Sequence, residues 1–234
     1  MTKPSEASKP YDLNDYPRFE VTVDIALFSV IDRALHVLLV QRGEQTERNK
    51  WALPGGFKKA DETLDQAAAR ELVEETNVTA PRHLAQFRAY GDPGRDPRGN
   101  VVTVAYLAAV PTPAKVVGGS DARHAAVVPV ADVLTGKRKL AFDHRRIVTD
   151  AVDHIAGQLE GSDLAFAFLH PSFALSDLRG VHEAITGKQL DPANFRRDVL
   201  GADPPLLRAT GRRANSGVGG GRPAELFTRV SRSR

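Results

Sequence analysis

The chain has 234 residues, a formal net charge of +3 and a hydrophobic content of 41%, which is an ordinary globular composition and excludes wholesale disorder. It contains no cysteine, which excludes a disulfide scaffold, a cysteine-ligated zinc site and a thiol nucleophile. No apolar run approaches the ~18 residues of a membrane helix, and the N-terminus lacks a signal-peptide pattern. We therefore expect a cytoplasmic protein with no membrane partner.

The first two thirds of the chain predict alternating strands and helices after a loose polar arm at residues 1–17. The predicted strands are at 21–30, 35–40, 86–90, 101–110 and 127–130. Helices are predicted at 63–76 and 144–159, where apolar residues recur at helical spacing. In the first helix the apolar side consists of Leu64, Ala67, Ala68, Leu72 and Val73.

The pattern changes after Gly161. A short amphipathic helix is predicted from Ser176, as its N-cap, to Ile185. A second helix, opened by Asp191 and Pro192, is predicted to reach Leu200. Two short helices around a Gly-containing turn form a helix-turn-helix pattern. Residues 206–210 and 225–230 flank a Gly- and Arg-rich stretch, which predicts a β-hairpin with a long flexible tip, a wing.

The charge is distributed unevenly along the chain. Residues 1–160 carry 21 Lys and Arg against 22 Asp and Glu, whereas residues 161–234 carry 11 against 7. From Pro205 to Arg234 there are seven arginines and one acid, Glu225. A slightly acidic body with a basic end favours two functions, one of them at a polyanion. The alternative is a solvated basic tail.

The most specific motif combines Gly56 and Glu62 with the run Arg70-Glu71-Leu-Val-Glu74-Glu75-Thr-Asn-Val. Glu71, Glu74 and Glu75 are spaced i, i+3 and i+4, so a helix places all three carboxylates on one face. Such crowding is unfavourable unless a cation joins them, and oxygen ligands favour Mg²⁺ or Mn²⁺, which also bind substrate phosphates. Glu62 and Arg70 are expected to pair. A charged solvent-exposed helix face is the alternative.

This motif resembles the Nudix box at every position but one, where the family has Gly and this chain has Asn77. Asn also adopts the left-handed conformation that ends a helix, so we expect the turn to survive. The resemblance implies an α/β/α sandwich with a mixed sheet and a ligand in which a nucleoside diphosphate is linked to another group. It also implies Mg²⁺ (or Mn²⁺), bound with the nucleotide by three residues that would be catalytic in an active enzyme: Glu71, Glu74 and Glu75.

The loop at residues 90–98 and the strand after it resemble those of ADP-ribose pyrophosphatases. In this loop Arg95 and Arg98 are candidates to pair with phosphates, and Asp96 with ribose hydroxyls, although a plain exposed loop is the alternative. Further candidates for contact with phosphate or base are Arg42, Trp51 and Phe57, with core packing as the alternative for the two aromatics.

One departure from active ADP-ribose hydrolases lies before the last strand. These enzymes often carry an additional acidic residue there, where this chain has Arg123 and His124, with Asp121 as the possible substitute. A missing base or ligand affects the rate far more than binding. The box therefore predicts binding more firmly than hydrolysis.

The candidate DNA contacts lie on or beside the second short helix and at the wing. Asn194 and Arg197 share one helix face and are candidates for base edges, whereas Arg196 points elsewhere, toward phosphate. Phe195 and Val199 are expected to face the small core. The full candidate set is Lys188, Asn194, Arg196, Arg197, Arg212, Arg213 and Arg222.

The pairing of these two parts resembles the NrtR-type regulators of NAD metabolism over nearly the whole chain. The resemblance implies an α+β protein with a Nudix domain at 18–158 and a winged helix-turn-helix domain at 159–234. It implies a dimeric repressor of NAD biosynthesis and salvage genes that binds a double-stranded operator and is released by ADP-ribose or a related nucleotide. The alternatives are an Mg²⁺-dependent ADP-ribose pyrophosphatase giving AMP and ribose 5-phosphate, and a nucleotide-binding protein whose basic end contacts RNA.

Overall fold

The computed structural model describes residues 12–79, 81–111, 122–159, 162–214 and 223–230. Its strands are β1 (Glu20–Ile31), β2 (Ala34–Arg42), β3 (Trp51–Ala52), β4 (Gly55–Phe57), β5 (His83–Tyr90), β6 (Val101–Ala109), β7 (Ala122–Pro129), β8 (Phe173–Ala174), β9 (Leu207–Arg213) and β10 (Glu225–Arg229). Its α-helices are α1 (Leu64–Thr76), α2 (Val130–Leu134), α3 (His144–Gln158), α4 (Leu175–Thr186) and α5 (Pro192–Leu200). Short 3-10 helices lie at Leu13–Asp15 and Leu164–Phe168.

The first seven strands form one mixed sheet with the path β3-β2-β1-β6-β5, to which β4 adds beside β1 and β7 beside β2. The central pair, β1 and β6, is parallel, and β1 pairs antiparallel with β2. The long strand β1 alternates its side chains between the two faces of the sheet, as a fully covered strand must.

Helices cover both faces of this sheet. Val23, Ile25 and Leu27 of β1 pack with Leu72 of α1 on one face. On the opposite face, Ala26 and Phe28 belong to a larger apolar cluster that includes three residues of α3, namely Ile147, Val148 and Ala151. The predicted mixed sheet between helices is confirmed.

The C-terminal part is a winged helix. Helices α4 and α5 are followed by β9 and β10, and β10 pairs with both β9 and β8 to form a three-stranded sheet. Phe195 and Val199 of α5 pack against the core, as predicted. Leu178 and Val181 of α4 and Phe227 of β10 lie in the same apolar cluster as α3, so one continuous core joins the winged helix to the sheet.

The structure differs from the sequence predictions at three places. Helix α4 begins at Leu175, and its N-cap is Ala174, whose backbone N–H is bound by the Asp177 carboxylate, so Ser176 is not the cap. Val73 is exposed and lies outside the buried side of α1, which consists of Ala67, Ala68, Glu71, Leu72 and Thr76. The strand predicted at 127–130 is longer, and its last predicted residue belongs to α2.

No helix within the described residues is both long and apolar enough to cross a membrane.

Candidate functional site

Strand β4 lies in close contact with both β1 and helix α1. Gly55 and Gly56 pair with Asp24 and Val23 of β1. A Cβ on Gly55 would lie 2.1 Å from the Val23 carbonyl oxygen, and one on Gly56 would lie 2.4 Å from Oε1 of Glu71. A side chain at Gly55 would collide with the β1 backbone, and one at Gly56 would displace the Glu71 carboxylate. The two glycines therefore allow the Glu71 carboxylate to lie directly against β4.

Helix α1 has well-defined ends. Thr63 and Gln66 form a reciprocal capping box, with Thr63 Oγ1 accepting from the Gln66 N–H and Gln66 Oε1 accepting from the Thr63 N–H. At the other end, Asn77 is left-handed with φ +59°, and its N–H donates to the Val73 carbonyl. The substitution of Asn for the family's Gly therefore preserves the turn, as predicted.

Arg70 organises the carboxylates of α1 and of the preceding loop. It donates two hydrogen bonds to Glu62, at 2.9 and 2.6 Å, which confirms the predicted pair. Its Nη1 reaches Glu71 at 2.6 Å and Glu74 at 3.1 Å. Glu75 points the other way and accepts from the Gly55 N–H at 2.9 Å. A single guanidinium thus contacts three carboxylates, whereas the fourth, that of Glu75, accepts a hydrogen bond from a backbone N–H.

Burial and charge shift the pKa values of these acids in opposite directions. Hydrogen bonds from Arg70 and from the Lys59 backbone lower the pKa of Glu62 to about 2. Burial raises the pKa of Glu71, and it raises the pKa of Glu75 to about 8 against the Gly55 hydrogen bond. Burial therefore disfavours the ionised forms of Glu71 and Glu75, and a cation bound beside them would stabilise those forms.

In this conformation no three His, Cys, Asp or Glu side chains among the described residues are grouped to hold a metal ion. The reason is local, because Arg70 occupies oxygens of Glu71 and Glu74 while Glu75 turns to Gly55. A cation shared by these carboxylates would therefore displace Arg70 from Glu71 and Glu74.

These carboxylates line a cleft with a volume of about 410 Å³. Across it, Arg98 lies over the ring of Phe57 at 4.8 Å and over that of Phe142 at 5.4 Å, and Arg42 lies over Phe142 at 4.7 Å. The Asp96 carboxylate, which is buried, accepts from Arg98 Nε at 3.1 Å and from Nη2 at 2.8 Å. Two guanidinium groups stacked on aromatic faces present positive charge for a phosphate.

The Asp96–Arg98 pair is electrostatically tight. Although burial of Asp96 acts in the opposite direction, the hydrogen bonds from the Arg98 side chain and backbone hold the pKa of that carboxyl below its ordinary value. The same pair raises the pKa of Arg98. Asp96 therefore orients Arg98 rather than projecting freely toward a sugar.

Arg95 belongs to a buried polar network at the back of the cleft. Its guanidinium binds the Asp143 carboxylate through two hydrogen bonds of 3.0 and 2.7 Å and lies 3.7 Å from Asp24. His144 accepts from the Leu53 N–H through Nδ1 and places Nε2 3.4 Å from Asp24. The positive charge of Arg95 is therefore already paired within the protein, and His144 acts as a structural hydrogen-bonding residue.

The structure brings together five of the six candidate effector residues and separates the sixth. The cleft lining includes Arg42, Phe57, Arg95, Asp96 and Arg98 but not Trp51. Trp51 instead packs against the core and carries Arg138 on its ring at 5.1 Å. Asp121 lies outside the described residues, as does the Arg123 side chain, and His124 is exposed.

Sequence reasoning missed Phe142 and Asp24. Phe142 supports both Arg42 and Arg98, and its backbone has φ +49°. Asp24 is a buried acid that faces Arg95 and His144. A signal for Asp24 was present, because an acid inside the apolar run Val21–Val30 demands a buried partner.

The second short helix presents a polar face. The Asp191 side chain caps α5 by accepting from the Asn194 N–H at 2.8 Å, and Pro192 occupies its first turn. Asn194, Arg196 and Arg197 are exposed. Arg196 lies 3.9 Å from Glu225, and Arg197 pairs at 3.2 Å with its neighbour Asp198. These are weak surface pairs, so both guanidinium groups are available to a polyanion.

The hairpin of β9 and β10 adds further positive charge. Arg212 and Arg213 are exposed near the end of β9, and Arg213 donates to the Pro223 carbonyl at 3.3 Å. Lys188 is exposed in the turn between α4 and α5. Arg222 and the predicted wing tip lie outside the described residues. The described candidates therefore all lie on the helix-turn-helix and the hairpin.

A family model for the NUDIX domain matches residues 20–151, and one for the NrtR DNA-binding winged helix domain matches residues 165–228. The fold and the cleft thus define a Nudix domain followed by a winged helix domain. The chain is 34% identical over 219 residues to the ADPR responsive transcriptional repressor NtrR of Acinetobacter baylyi, a match that covers 93% of this chain and 84% of that protein. The chain belongs to the NrtR family.

Solved structures agree with this assignment. The crystal structure of Shewanella oneidensis NrtR complexed with a 27mer DNA has 37% sequence identity and a TM-score of 0.75, covering 90% of this chain and 93% of that one. The NUDIX domain of the same Shewanella protein complexed with ADP ribose has 37% identity and a TM-score of 0.56, covering 62% of this chain and 94% of that one.

Proposed function

We propose that this protein is a DNA-binding transcriptional repressor of NAD biosynthesis and salvage genes. ADP-ribose, or a related NAD-derived nucleotide, binds its Nudix domain at 18–158 and releases its winged helix domain at 159–234 from the operator. The main supporting observation is that a Nudix domain with an arginine-lined cleft and an exposed basic helix-turn-helix share one apolar core. The relatives support both halves, since the Acinetobacter protein is named as ADPR responsive and the Shewanella structures contain DNA and ADP ribose.

The ligand would lie between the arginines and the α1 carboxylates. Arg42 and Arg98 would bind the pyrophosphate, and the exposed ring of Phe57 would stack on the base. Arg95 and Asp96 would act mainly by fixing the cleft, because their side chains are only 5% and 2% exposed, against 14% for Arg42 and 28% for Arg98. Because Trp51 does not line the cleft, it would support the cleft wall from the side of the apolar core.

A divalent cation, Mg²⁺ or Mn²⁺, would be held by Glu71, Glu74 and Glu75. The fit rests on burial, because Glu71 and Glu75 lie within the protein and Arg70 alone cannot neutralise the carboxylates around it. When bound, the cation would neutralise the phosphate charge that the arginines leave unmatched. The side chains of α1 would supply oxygen ligands of the type such ions prefer.

The DNA-binding candidates divide by position. Asn194 and Arg197 project from α5 and would contact base edges, whereas Lys188, Arg196, Arg212, Arg213 and Arg222 would contact phosphates. Acting as a homodimer, the protein would place two such helices about one DNA turn apart on a roughly palindromic operator. Light scattering of the protein with and without the duplex would test this, and one protomer per operator would contradict it.

A gel-shift series with candidate promoter DNA tests the proposed function. Duplexes from upstream of NAD-synthesis genes are titrated with protein, with and without ADP-ribose, in Mg²⁺ and in EDTA, while nucleotide products are followed by chromatography. We expect a specific shift that ADP-ribose reverses. A protein that ignores these duplexes at modest salt, or a shift insensitive to ADP-ribose, would contradict the proposal.

The second candidate function, an ADP-ribose pyrophosphatase giving AMP and ribose 5-phosphate, is favoured by the complete set of box carboxylates with their Arg70–Glu62 pair. The same experiment distinguishes it. Stoichiometric release of DNA with ADP-ribose still intact identifies a sensor, whereas Mg²⁺-dependent accumulation of AMP identifies an enzyme. Absence of AMP at high protein concentration would reject the second function.

A further inference from the structure

The hairpin of β1 and β2 runs from the Nudix cleft to the winged helix. At one end Asp24 of β1 and Arg42 of β2 line the cleft. At the other end the two strands meet in a tight turn, where Asp32 and Arg33 have φ +48° and +61°. Asp24 and Arg33 are nine positions apart, or about 30 Å along an extended strand. The two strands pair directly with each other at the turn, over Phe28–Ile31 and Ala34–Val37, and each continues as one unbroken strand to the cleft.

The turn makes a polar contact with the winged helix. Arg33 Nη1 donates to Oε2 of Glu183 on α4 at 3.3 Å. The Arg33 side chain is 61% exposed, whereas that of Glu183 is only 15% exposed. Loss of such an exposed guanidinium changes stability little. The contact is therefore suited to form and break without unfolding either part.

Glu183 also holds the turn of the helix-turn-helix. Its other oxygen, Oε1, accepts from the Leu190 N–H at 3.0 Å. Leu190 lies in the segment between α4 and α5, directly before the N-cap of α5. Arg179 lies 3.5 Å from the same Oε1, one helical turn back. Because Arg179 stays beside the carboxylate, Arg33 can leave Glu183 without stranding a largely buried charge.

We propose that Glu183 is a positioning residue that couples the Nudix cleft to the DNA-reading helix, with Arg33 as its partner on the Nudix side. The Arg33 contact on Oε2 and the Leu190 contact on Oε1 involve the same carboxylate. A displacement of the hairpin turn therefore alters the support of the segment that sets the start of α5. The inference rests on the proposed function and specifies which contact carries its ligand response.

The test measures coupling rather than binding alone. A labelled duplex is selected from a randomised library with the wild-type protein, and its affinity is measured by fluorescence anisotropy with and without saturating ADP-ribose. The ratio of the two dissociation constants is the coupling factor. In Arg33→Ala we expect unchanged affinity for ADP-ribose and a coupling factor about threefold smaller, the size of effect that an exposed ion pair gives. Arg33→Lys should restore part of it.

Two variants of Glu183 separate its two contacts. Glu183→Gln keeps an oxygen for the Leu190 N–H but removes the charge that attracts Arg33, so it should lower the coupling factor with Leu190 still protected from hydrogen exchange. Glu183→Ala removes both contacts and should also accelerate exchange at Leu190. The matched control is Arg88→Ala, which removes a similarly exposed arginine (54% against 61%) paired with Asp150 within the Nudix part.

The outcomes are distinguishable. A wild-type protein whose DNA affinity ignores ADP-ribose overturns the proposed function itself. A wild-type protein that responds, with an Arg33→Ala variant that responds equally, overturns the coupling role alone. Unchanged exchange at Leu190 in Glu183→Ala likewise overturns the positioning role of Glu183.

Discussion

The backbone N–H of Leu53 donates to Nδ1 of His144 at 2.9 Å, although the two residues are 91 positions apart. This bond ties the loop before β4 to the start of α3. Because Nδ1 accepts, the ring proton is on Nε2, which faces Asp24 at 3.4 Å. A neutral, fully enclosed imidazole therefore fixes one wall of the Nudix cleft.

The first prediction concerns pH. Burial lowers the pKa of His144 below its ordinary 6.5, while Asp24 and Asp143 act the other way and Arg95 and Arg42 reinforce the effect of burial. The unfolded chain binds a proton near pH 6.5 that the folded protein does not, so stability decreases as the pH falls through this value. His144→Asn keeps an acceptor near the Nδ1 position but does not titrate. This variant should therefore lose less folding stability than wild type as the pH falls.

The measurement is the urea midpoint of both proteins above and below the ordinary histidine pKa of about 6.5. Wild type should lose more stability than His144→Asn over that interval. Equal losses in the two proteins would show that another group controls the pH response.

The second prediction concerns Arg98. Its guanidinium donates to both Asp96 carboxylate oxygens and lies over the Phe57 ring at 4.8 Å. A lysine can neither make the paired bonds nor stack in this way. We expect Arg98→Lys to weaken ADP-ribose binding about tenfold, or about 1.4 kcal/mol, by calorimetry. Arg88→Lys, on the exposed side of β5, is the matched control, and equal affinities in the two variants would exclude a contact with the ligand.

The third prediction concerns the divalent cation. Glu74 is the most exposed of the three box carboxylates and pairs with Arg70 at 3.1 Å. If it is a ligand, wild type should bind ADP-ribose more tightly in Mg²⁺ than in EDTA, and Glu74→Gln should lose most of that difference. Asp153→Asn, an exposed acid on α3, controls for the change in net charge. A full Mg²⁺ effect in Glu74→Gln would remove Glu74 from the ligand set.

Local patterns allowed the sequence to predict α1 and its ends. The pairing of Arg70 with Glu62 and the left-handed Asn77 both depend on residues within one loop and one helix. Such short-range spacing leaves few alternatives. The helix-turn-helix was predictable for the same reason, through the Asp191 cap and the left-handed Gly187 that ends α4.

The contacts of several residues in and beside the cleft could not be predicted from the sequence. Arg95 pairs with Asp143, which is 48 positions away, so no local pattern assigns that partner. Trp51 lies on a strand of only two residues, too short for alternation to decide which face it takes. Phe142 needed a positive φ that aromatic residues rarely adopt. Each of these depends on how distant segments meet.

The fourth prediction separates phosphate contacts from base contacts through salt. Arg212 is exposed on β9, in the hairpin rather than on α5. Arg212→Ala should weaken binding to all duplexes alike and reduce the slope of log affinity against log salt concentration by about 0.9. The control is Lys137→Ala, an exposed lysine paired with Asp132 in the Nudix part. An unchanged slope in Arg212→Ala would place this arginine away from the DNA.

The last prediction concerns Asn194, on the first turn of α5. Its backbone N–H is already bound by Asp191, which leaves the exposed side-chain amide free to bond a base edge without disturbing the helix cap. An amide recognises adenine through two hydrogen bonds, worth about 1–3 kcal/mol of discrimination. Asn194→Ala should therefore retain the wild-type salt slope while losing preference at one position of each half-site. Selection of duplexes from a randomised library with both proteins measures this directly, and identical selected sequences would show that Asn194 does not read a base.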